Sequence, residues 1–228
     1  LRLAGGLDAV GDGAIRINRR DVSSTKLTVP PEKRGVGLMF QDYALFPHLT
    51  ILKNVMFGLR ELPRADGERE AMNALARVGL DAYANQYPHA LSGGEQQRVA
   101  IAVALANEPE VIFADEPTGE LDSSTGEDVF AALRAANQDL GATVVVVTHD
   151  HAVSSEVQRT VAIRDGRTAT EVVRRTHVDH EGQTRTVHEE YAVLDRAGRM
   201  QLPQDYRDAL GLKDRVRLEL ESDHVGVW

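Results

Sequence analysis

The sequence predicts an α/β fold built on a parallel sheet, and three consecutive segments predict it. Residues 111–114 form a short, unbroken apolar run, which is typical of a parallel strand buried on both faces. Residues 123–140 repeat apolar side chains at helical spacing, and residues 144–147 form a second buried apolar run. This strand–helix–strand order favours a parallel sheet whose functional groups lie at the carboxyl ends of the strands.

Earlier segments predict two more strands and a set of helices. Residues 35–40 predict a buried strand that ends at Gln41, and residues 14–18 alternate like a half-buried strand. Asp66 is placed to cap one amphipathic helix, and residues 92–107 predict another. The middle third of the chain is therefore expected to be helical.

The last third of the chain predicts smaller, separate elements. Residues 161–164, followed by an Asp-Gly turn, predict one arm of an exposed hairpin. Residues 173–186 are polar and lack periodicity, which predicts a linker. Residues 187–228 then predict a small β-rich domain, with one short helix at residues 204–210.

Composition excludes several classes of protein. The chain has 228 residues, 42% of them hydrophobic, which is enough to bury a core and excludes wholesale disorder. It has no cysteine, which excludes disulfide scaffolds, thiol nucleophiles and zinc sites built on cysteine. The net charge of -9 argues against a surface that grips nucleic acid throughout.

A helix that opens with two glycines is the first segment that suggests chemistry. The predicted helix start carries Ser92, Gly93, Gly94 and Glu95. Glycines let backbone amides approach a ligand closely, and the free amides of a helix start attract an anion. On their own, the same residues also fit an ordinary capped helix.

Two adjacent carboxylates follow the apolar run at residues 111–114. Successive strand residues point to opposite sides, so Asp115 and Glu116 are expected to differ in role. Asp115 fits a magnesium ligand, and Glu116 fits a group that orients or deprotonates an attacking water. On their own, the two acids also fit the start of an ordinary turn.

Gln41 and His149 follow the two other predicted strands of the sheet. The amide of Gln41 can contact both a metal and a water, and His149 can hydrogen-bond a phosphate oxygen. Each residue alone says little, because a lone histidine is more often structural or merely exposed. With the two acids, however, they are expected to lie at one edge of one sheet.

Taken together, residues 1–172 resemble the ATP-binding subunit of ATP-binding-cassette (ABC) transporters. Residues 91–97 are similar to the family's signature motif, and residues 111–117 to its Walker B motif. Gln41, Asp122 and His149 match the Q-loop, the D-loop and the H-loop. The resemblance implies a P-loop NTPase-like parallel sheet with a helical subdomain at about residues 42–108.

The resemblance implies an ATPase that uses ATP and Mg²⁺ and works as a dimer of nucleotide-binding subunits. Glu116 is then the catalytic carboxylate, His149 a γ-phosphate contact and Gln41 a sensor of metal or water. Asp115, with Gln41, would contact the metal, and Asp122 would communicate across the dimer. The signature of the second subunit would complete each site, through Ser92, Gly93, Gly94 and Glu95.

The resemblance also implies a separate transmembrane permease subunit. No apolar run in this sequence approaches the ~18 residues that span a bilayer. Residues 43–50 are apolar and aromatic and correspond to the region that receives the membrane subunit; packing in the helical core is the alternative for Leu45 and Leu49. The protein is therefore expected in the cytoplasm, peripheral on the inner face of the cell membrane.

Two segments disagree about the transported substrate. Residues 114–123 resemble lipoprotein and macrolide exporters, whereas residues 31–59 resemble sugar and polyamine importers. The short tail after His149 adds to the exporter resemblance, so the sequence leans slightly to the exporter-like branch.

The family's phosphate-cradling loop, G-x-x-x-x-G-K-[ST], does not occur in these 228 residues. Residues 1–7 resemble the end of the helix that follows this loop, so we interpret the cassette as truncated at its N-terminus. A natural pseudo-ATPase is the alternative. In either case the chain as written is expected to bind ATP weakly and to be inactive as an ATPase.

Residues 187–228 resemble the AbrB-like swapped-hairpin domain, in which two chains interleave and which often binds DNA. Acidic side chains outnumber basic ones in this segment, whereas phosphate binding needs a basic face. Dimerisation or regulation is therefore expected, and DNA binding is disfavoured. A regulator that uses this segment for dimerisation or DNA binding is the alternative to transport.

Overall fold

The computed structural model describes residues 1–119, 121–164, 166–178, 184–194, 198–213, 218–220, 222 and 225–227. The chain divides into two compact units, Leu1–Asp150 and His151–Trp228.

The first unit combines a parallel sheet with packed helices. The described residues form the helices α1 (Arg2–Gly5), α2 (Ile51–Met56), α3 (Arg64–Arg77), α4 (Gly93–Leu105) and α5 (Ser123–Leu140). They form the strands β1 (Ala14–Ile17), β2 (Arg20–Ser24), β3 (Val36–Met39), β4 (Val111–Asp115) and β5 (Thr143–Val147). Strands β1 and β2 pair as a separate antiparallel hairpin.

The central sheet has the order β3-β4-β5, and all of its pairs are parallel. Met39 lies beside Ala114, and Asp115 lies beside Val147. The three strands therefore end at the same edge, and the predicted α/β class is confirmed. Helices α2, α3 and α4 fall between β3 and β4 in the chain, and α5 connects β4 to β5.

One face of this sheet is covered by α4 and α5. Helix α4 packs directly on β3: a Cβ built on Gly37 would lie only 2.5 Å from the carbonyl oxygen of Ala104. Ile112 and Ala114 on β4 are fully buried on the covered face. Because residues alternate along a strand, Val111 and Phe113 lie on the other face, where they are half-buried.

Strand β5 differs from its prediction as a buried strand. Val145 is 36% exposed and Val147 is 45% exposed, while Val144 and Val146 are half-buried. Within the described part of the chain, β5 pairs on one side only, with β4. An apolar run in the sequence indicates a strand, but its neighbours decide how much of that strand is buried.

The start of α3 also differs from its prediction. The helix begins at Arg64, after Pro63, rather than at a cap on Asp66. The Asp66 carboxylate lies in the first turn and accepts a hydrogen bond from Arg69 at 2.8 Å. Proline fixes the backbone in a conformation that suits a helix start, so the helix begins earlier than the acid indicates.

The second unit is rich in β structure. Its described elements are β6 (Arg159–Arg164), β7 (Arg167–Val178), β8 (Thr184–Ala192), α6 (Gln204–Ala209), β9 (Leu218–Leu220) and β10 (Val225–Val227). Strands β6, β7 and β8 form an antiparallel sheet, and β9 pairs with β10. The pairing of Arg164 with Arg167 confirms the predicted hairpin, and α6 confirms the predicted short helix.

The segment predicted to be a linker, residues 173–186, is not a linker in its described part. Strand β7 runs to Val178, β8 begins at Thr184, and Arg174 pairs with His188 across the two strands. A ladder of backbone hydrogen bonds does not need apolar side chains on both faces, so a polar sequence can form it. Residues 179–183 lie outside the described residues.

The predicted start of the C-terminal domain at residue 187 also falls inside β8. Tyr191 is near the end of the same strand. The resemblance of residues 187–228 to the AbrB-like domain stays a prediction. Within the described part of the chain, no helix is both long and apolar enough to cross a membrane.

Candidate functional site

The carboxyl edge of the β3-β4-β5 sheet brings together the residues that the sequence singles out after each strand. Gln41 lies two residues after β3, Asp115 ends β4 and Glu116 follows it, and His149 lies two residues after β5. The parallel register, with Asp115 beside Val147, places the ends of β4 and β5 side by side. Such edges are where ligands bind in open α/β sheets.

Glu116 is the most strongly held side chain of this edge. Its Oε2 accepts a hydrogen bond from the Thr148 hydroxyl at 2.7 Å. Its Oε1 accepts one from the His149 backbone N–H at 3.0 Å and lies 2.7 Å from His149 Nδ1. Both carboxylate oxygens are therefore fixed by the two residues that follow β5.

The charges of Glu116 and His149 reinforce each other. Partial burial opposes ionisation of Glu116, but the hydrogen bonds from Thr148 and His149 outweigh it, so the Glu116 pKa is lowered. The hydrogen bond that the His149 ring donates to Glu116, and the negative charge of Glu116, raise the His149 pKa. The His149 side chain is 88% exposed, so it can reach a ligand outside the edge of the sheet.

Thr148 is a contributor that sequence reasoning missed. Its hydroxyl accepts a hydrogen bond from the Asp150 N–H at 3.0 Å, which leaves its own proton for Glu116. The only signal in the sequence is its place directly before His149. A hydroxyl residue at that place has no distinctive pattern until the position of Glu116 is known.

Glu116 has an unusual backbone conformation. It has a φ of 45°, in the left-handed region that non-glycine residues rarely adopt. Its N–H donates to the Val147 carbonyl at 2.8 Å, so the chain stays tied to β5 as it turns. The turn aims the Glu116 carboxylate at the end of β5, whereas Asp115 remains a half-buried member of β4.

Gln41 lies on an exposed loop with an unusual backbone. Tyr43 and Ala44, directly downstream, have φ angles of 61° and 51°. The far end of the loop is held by Asn54, a buried side chain in α2 that bonds the backbone of Phe46, Leu49 and Thr50. Gln41 is therefore carried by a loop that is anchored at a distance.

The predicted signature starts α4 with a capping box. The Ser92 hydroxyl accepts a hydrogen bond from the Glu95 N–H at 3.3 Å, and Glu95 Oε2 accepts one from the Ser92 N–H at 2.8 Å. The Ser92 hydroxyl also donates to Glu95 Oε2 at 2.8 Å. Hydrogen bonds from the Ser92 backbone and hydroxyl lower the Glu95 pKa. Here Glu95 serves its own helix start.

Gly94 lies where α4 meets α5. A Cβ built on Gly94 would lie 2.0 Å from Cγ2 of Thr125, so only glycine allows this approach. The hydroxyl of Thr125 donates to Asp122 at 2.8 Å, and its backbone N–H donates to the same carboxylate at 3.0 Å. The signature helix and the residue predicted for the D-loop are thus linked through Thr125 within one chain.

Asp122 is the N-cap of α5. Its carboxylate accepts hydrogen bonds from Ser124 at 2.7 Å and from the backbone and hydroxyl of Thr125. These bonds, that from Ser124 first, hold the Asp122 pKa well below its usual range. Asp122 is thus held in place by its own helix.

The donor set at the sheet edge fits one kind of metal. Asp115 offers a carboxylate and Gln41 an amide oxygen, the hard oxygen ligands that Mg²⁺ takes, commonly one or two from protein with phosphates and waters completing its shell. Among the described residues, no group of three or more acidic, histidine or cysteine side chains could hold a metal alone. The residues therefore fit a Mg²⁺ shared with a phosphate ligand.

The sheet has carboxylates, an amide and a histidine at its carboxyl edge, and a nearby helix opens with two glycines. These features are typical of the α/β proteins that bind phosphate groups. The family model described as "ABC transporter" matches residues 1–119, more than half of the chain. This chain belongs to the ABC transporter family.

Curated relatives give the same family. The sulfate/thiosulfate import ATP-binding protein CysA of Mycobacterium tuberculosis is 45% identical over 165 residues, which cover 72% of this chain and 46% of CysA. The spermidine/putrescine import ATP-binding protein PotA of Escherichia coli is 40% identical over 201 residues, or 87% of this chain and 50% of PotA. The chain spans about half the length of the curated relatives it matches.

A solved structure matches the fold. The dimeric bacterial ABC transporter cassette MJ0796 is 38% identical, with a TM-score of 0.63, over 75% of this chain and 77% of that one. Its post-hydrolysis state with bound ADP and Pi is 37% identical, also with a TM-score of 0.63.

The lean to an exporter-like branch is not supported, because CysA and PotA are both named as import proteins. The ten residues at 114–123 were too short a segment to decide between branches.

Proposed function

We propose that this chain is part of an ATP-hydrolysing subunit that drives substrate movement through a separate membrane subunit of an ABC transporter. The names of the relatives support import rather than export, since CysA and PotA are both named as import proteins. The family match and the site geometry favour this function over a nucleotide-deficient regulator.

The observation that carries the proposal is the contact between Glu116 and His149 at the sheet edge. The lowered Glu116 pKa keeps this carboxylate ionised near neutral pH, as a group that orients a water and accepts its proton must be. Thr148 and His149 fix both oxygens of Glu116, which limits the reorientation needed when a water attacks the phosphate. His149, largely exposed, is free on its far side to donate to a phosphate oxygen.

ATP and Mg²⁺ are the cofactors that fit this edge. Mg²⁺, when bound, neutralises charge on the phosphates. Asp115 and Gln41 would contact it, and Gln41 would also sense the metal or the water from its exposed loop. We assign these roles as part of the proposal.

A second nucleotide-binding subunit would complete each site. The start of α4, with Ser92, Gly93, Gly94 and Glu95, offers backbone amides and a hydroxyl to an anion of the other subunit. The dimeric cassette of MJ0796 supports this arrangement. Asp122, held at the start of α5 and linked to Gly94 through Thr125, would communicate between the two sites.

The loop at residues 43–50 is the proposed docking site for the membrane subunit. Phe46 and Phe57 are 37% and 40% exposed, and their ring centroids lie 4.6 Å apart. They line a cavity of about 100 Å³, together with Leu38, Phe40 and Tyr43 among others. An apolar cavity with exposed aromatic rims suits a short apolar segment of a partner. A subunit that docks in this way would lie in the cytoplasm, on the inner face of the cell membrane.

The chain as written, Leu1–Trp228, is proposed to bind ATP weakly. It lacks the lysine and hydroxyl of a G-x-x-x-x-G-K-[ST] loop, which hold the β- and γ-phosphates. Isothermal titration of the 228-residue chain with Mg-ATP is expected to show a dissociation constant above the micromolar range. Micromolar binding would contradict this part of the proposal.

For the C-terminal residues 187–228 we propose dimerisation rather than DNA binding. Leu194, Met200, Tyr206 and Leu210 are each at least 47% exposed, which suits burial against another chain. Light scattering is expected to show a concentration-dependent dimer of the 228-residue chain, weakened by Leu210→Glu and not by Leu62→Glu, an exposed leucine of the first unit. Salt-sensitive binding of duplex DNA by this chain would contradict the proposal.

The central test measures hydrolysis by the complete protein with its membrane subunit. Glu116→Gln keeps the shape of the side chain but cannot accept a proton, and we expect it to lower phosphate release from ATP by about 100-fold. Glu127→Gln, on the exposed face of α5, is the matched control and is expected to leave the rate unchanged. Wild-type hydrolysis by Glu116→Gln would contradict the role of Glu116, and no hydrolysis by the wild type would contradict the function itself.

A further inference from the structure

We propose that Gln97 is a positioning residue that ties the signature helix α4 to the turn at Glu116 within the same chain. Gln97 lies on the inner face of α4 and is 1% exposed. Its Nε2 donates a hydrogen bond of 2.8 Å to the carbonyl oxygen of Pro117, the residue directly after Glu116. One side chain thus joins two motifs. In the proposed function, the signature at the start of α4 binds the anion, and Glu116 orients the water.

An amide at this place is not explained by packing alone. Gln97 Oε1 is buried and has no hydrogen-bond partner among the residues that the structure describes. A buried acceptor without a partner is unfavourable, so an apolar side chain of the same length would fill the space more favourably. The feature that an apolar side chain cannot replace is the donation from Nε2 to Pro117.

The turn that Gln97 reaches is strained in two ways. Glu116 is a non-glycine residue in the left-handed region, and it also precedes a proline, which disfavours helical backbone conformations. Such a conformation persists only where the surroundings hold it. Backbone bonds hold its two ends, from the Glu116 N–H to Val147 and from the Gly119 N–H to Glu116. The Gln97 bond holds the peptide between them.

A second contact acts in the same direction. Gly94, one turn before Gln97 on α4, is in tight contact with Thr125, which is bonded to Asp122. Helix α4 is therefore seated on both segments that follow β4, the turn at Glu116 and the start of α5. A shift of the α4 start is expected to move Pro117 with it. The catalytic consequence rests on the proposed function: an anion that binds at the signature would shift the position of Glu116 in the same chain.

Amide hydrogen exchange of the 228-residue chain tests the bond without reference to catalysis. Gln97→Met keeps the length of the side chain but removes the donor. We expect it to speed exchange of the Gly119 amide, which closes the Glu116 turn, by about tenfold, and by more than it speeds exchange of the central-sheet amides. Gln96→Met is the matched control, because the Gln96 amide bonds Leu91 and not Pro117.

Two outcomes of this experiment would overturn the inference. One is Gly119 exchange in Gln97→Met equal to that in Gln96→Met. The other is an equal rise in exchange at all amides of the central sheet, since Gln97 would then act only through general packing.

If Gln97→Met does not fold, the wild type decides: the Gln97 side-chain amide protons are expected to exchange at least tenfold more slowly than those of the exposed Gln138. Equal exchange of the two side chains would overturn the inference.

Kinetics of the complete protein give the catalytic arm. Gln97→Met is expected to lower kcat for ATP several-fold and to leave KM unchanged, because the carboxylate is displaced and not the nucleotide contacts. A change in KM with an unchanged kcat would overturn the positioning role. If the wild type does not hydrolyse ATP, the proposed function fails, and the exchange measurement still decides the bond between Gln97 and Pro117.

Discussion

The Glu116 turn and the loop at residues 43–50 both follow strands of the central sheet, and both place non-glycine residues in the left-handed region. They are held in different ways. At Glu116 the functional side chain is itself part of the restraint, through its bonds to Thr148 and His149. In the loop at residues 43–50, the restraint comes from Asn54, in a neighbouring helix.

This difference shows what each region can tolerate. A change at Glu116 alters geometry and chemistry together, because the same carboxylate oxygens restrain the turn and, in the proposed function, contact the water. A change in the loop at residues 43–50 can alter the docking surface while the anchor keeps the backbone in place. A remote anchor suits a surface that must receive a partner, and a self-restrained side chain suits a group that must be aimed.

The largest effect on stability is expected at the anchor. Asn54→Leu removes the acceptor of the Phe46 N–H and the side-chain donor to three carbonyls. The Phe46 and Thr50 carbonyls keep backbone donors, but the Phe46 N–H loses its acceptor and four hydrogen bonds are lost in all, so we expect a loss of about 3 kcal/mol in the free energy of unfolding. Urea unfolding followed by circular dichroism measures it. The control, Asn107→Ala, loses one exposed bond to Gly58 and is expected to cost less than about 1 kcal/mol. Equal costs for the two variants would show that Asn54 does not anchor the loop.

A smaller loss is expected where α4 meets α5. Gly94→Ala improves helix propensity, yet its Cβ would collide with Cγ2 of Thr125, so we expect a net loss of about 1–3 kcal/mol. Thr125→Ser removes Cγ2 and keeps the hydroxyl that bonds Asp122. The double variant should therefore recover most of the loss in thermal unfolding. A stabilised Gly94→Ala protein would show that the contact does not constrain α4.

The pair of Glu116 and His149 predicts a pH dependence. The raised His149 pKa means that its contribution to stability is complete below its ordinary value of 6.5 and is lost as the pH rises through the raised value. The lowered Glu116 pKa means that its contribution is complete above 4.5 and is lost as the pH falls through the lowered value. The pair should stabilise the fold most between these two ordinary values.

Calorimetry checks this dependence. The melting temperature of the wild type is expected to exceed that of His149→Gln more at pH 5.5 than at pH 8.5. His89→Gln, which removes a histidine distant in sequence from the sheet edge, is the control for loss of a histidine. A difference between wild type and His149→Gln that does not depend on pH would mean that the pair contributes no linked stability.

The smallest effect is expected at Ala44. Its φ of 51° makes Ala44→Gly favourable for strain, but glycine adds conformational freedom to the unfolded chain, and the two terms nearly cancel to within about 0.5 kcal/mol. Urea unfolding measures the difference. A destabilisation of more than about 1 kcal/mol would mean that the Ala44 side chain, and not only Asn54, holds the loop.

Local sequence patterns predicted the elements that carry the site. The apolar run before Asp115, the helix that starts at Ser92 and the helix that ends before Gly141 each depend on residues close together in the chain, and the structure has all three. Polar residues placed after parallel strands also predicted that Glu116 and His149 would lie at one edge of the sheet. The linker prediction failed because a backbone ladder can form with polar side chains.

The sequence by itself therefore determined the sheet, its helices and the edge at which its polar residues gather, because periodicity, capping and strand ends act over a few residues. Only the tertiary structure decided which atoms meet: the hydroxyl of Thr148 on Glu116, the amide of Gln97 on Pro117 and the anchor of Asn54 on its loop. The exposure of Val145 and Val147 was decided in the same way. These contacts depend on register and on the approach of helix to sheet, which no local pattern in the chain encodes.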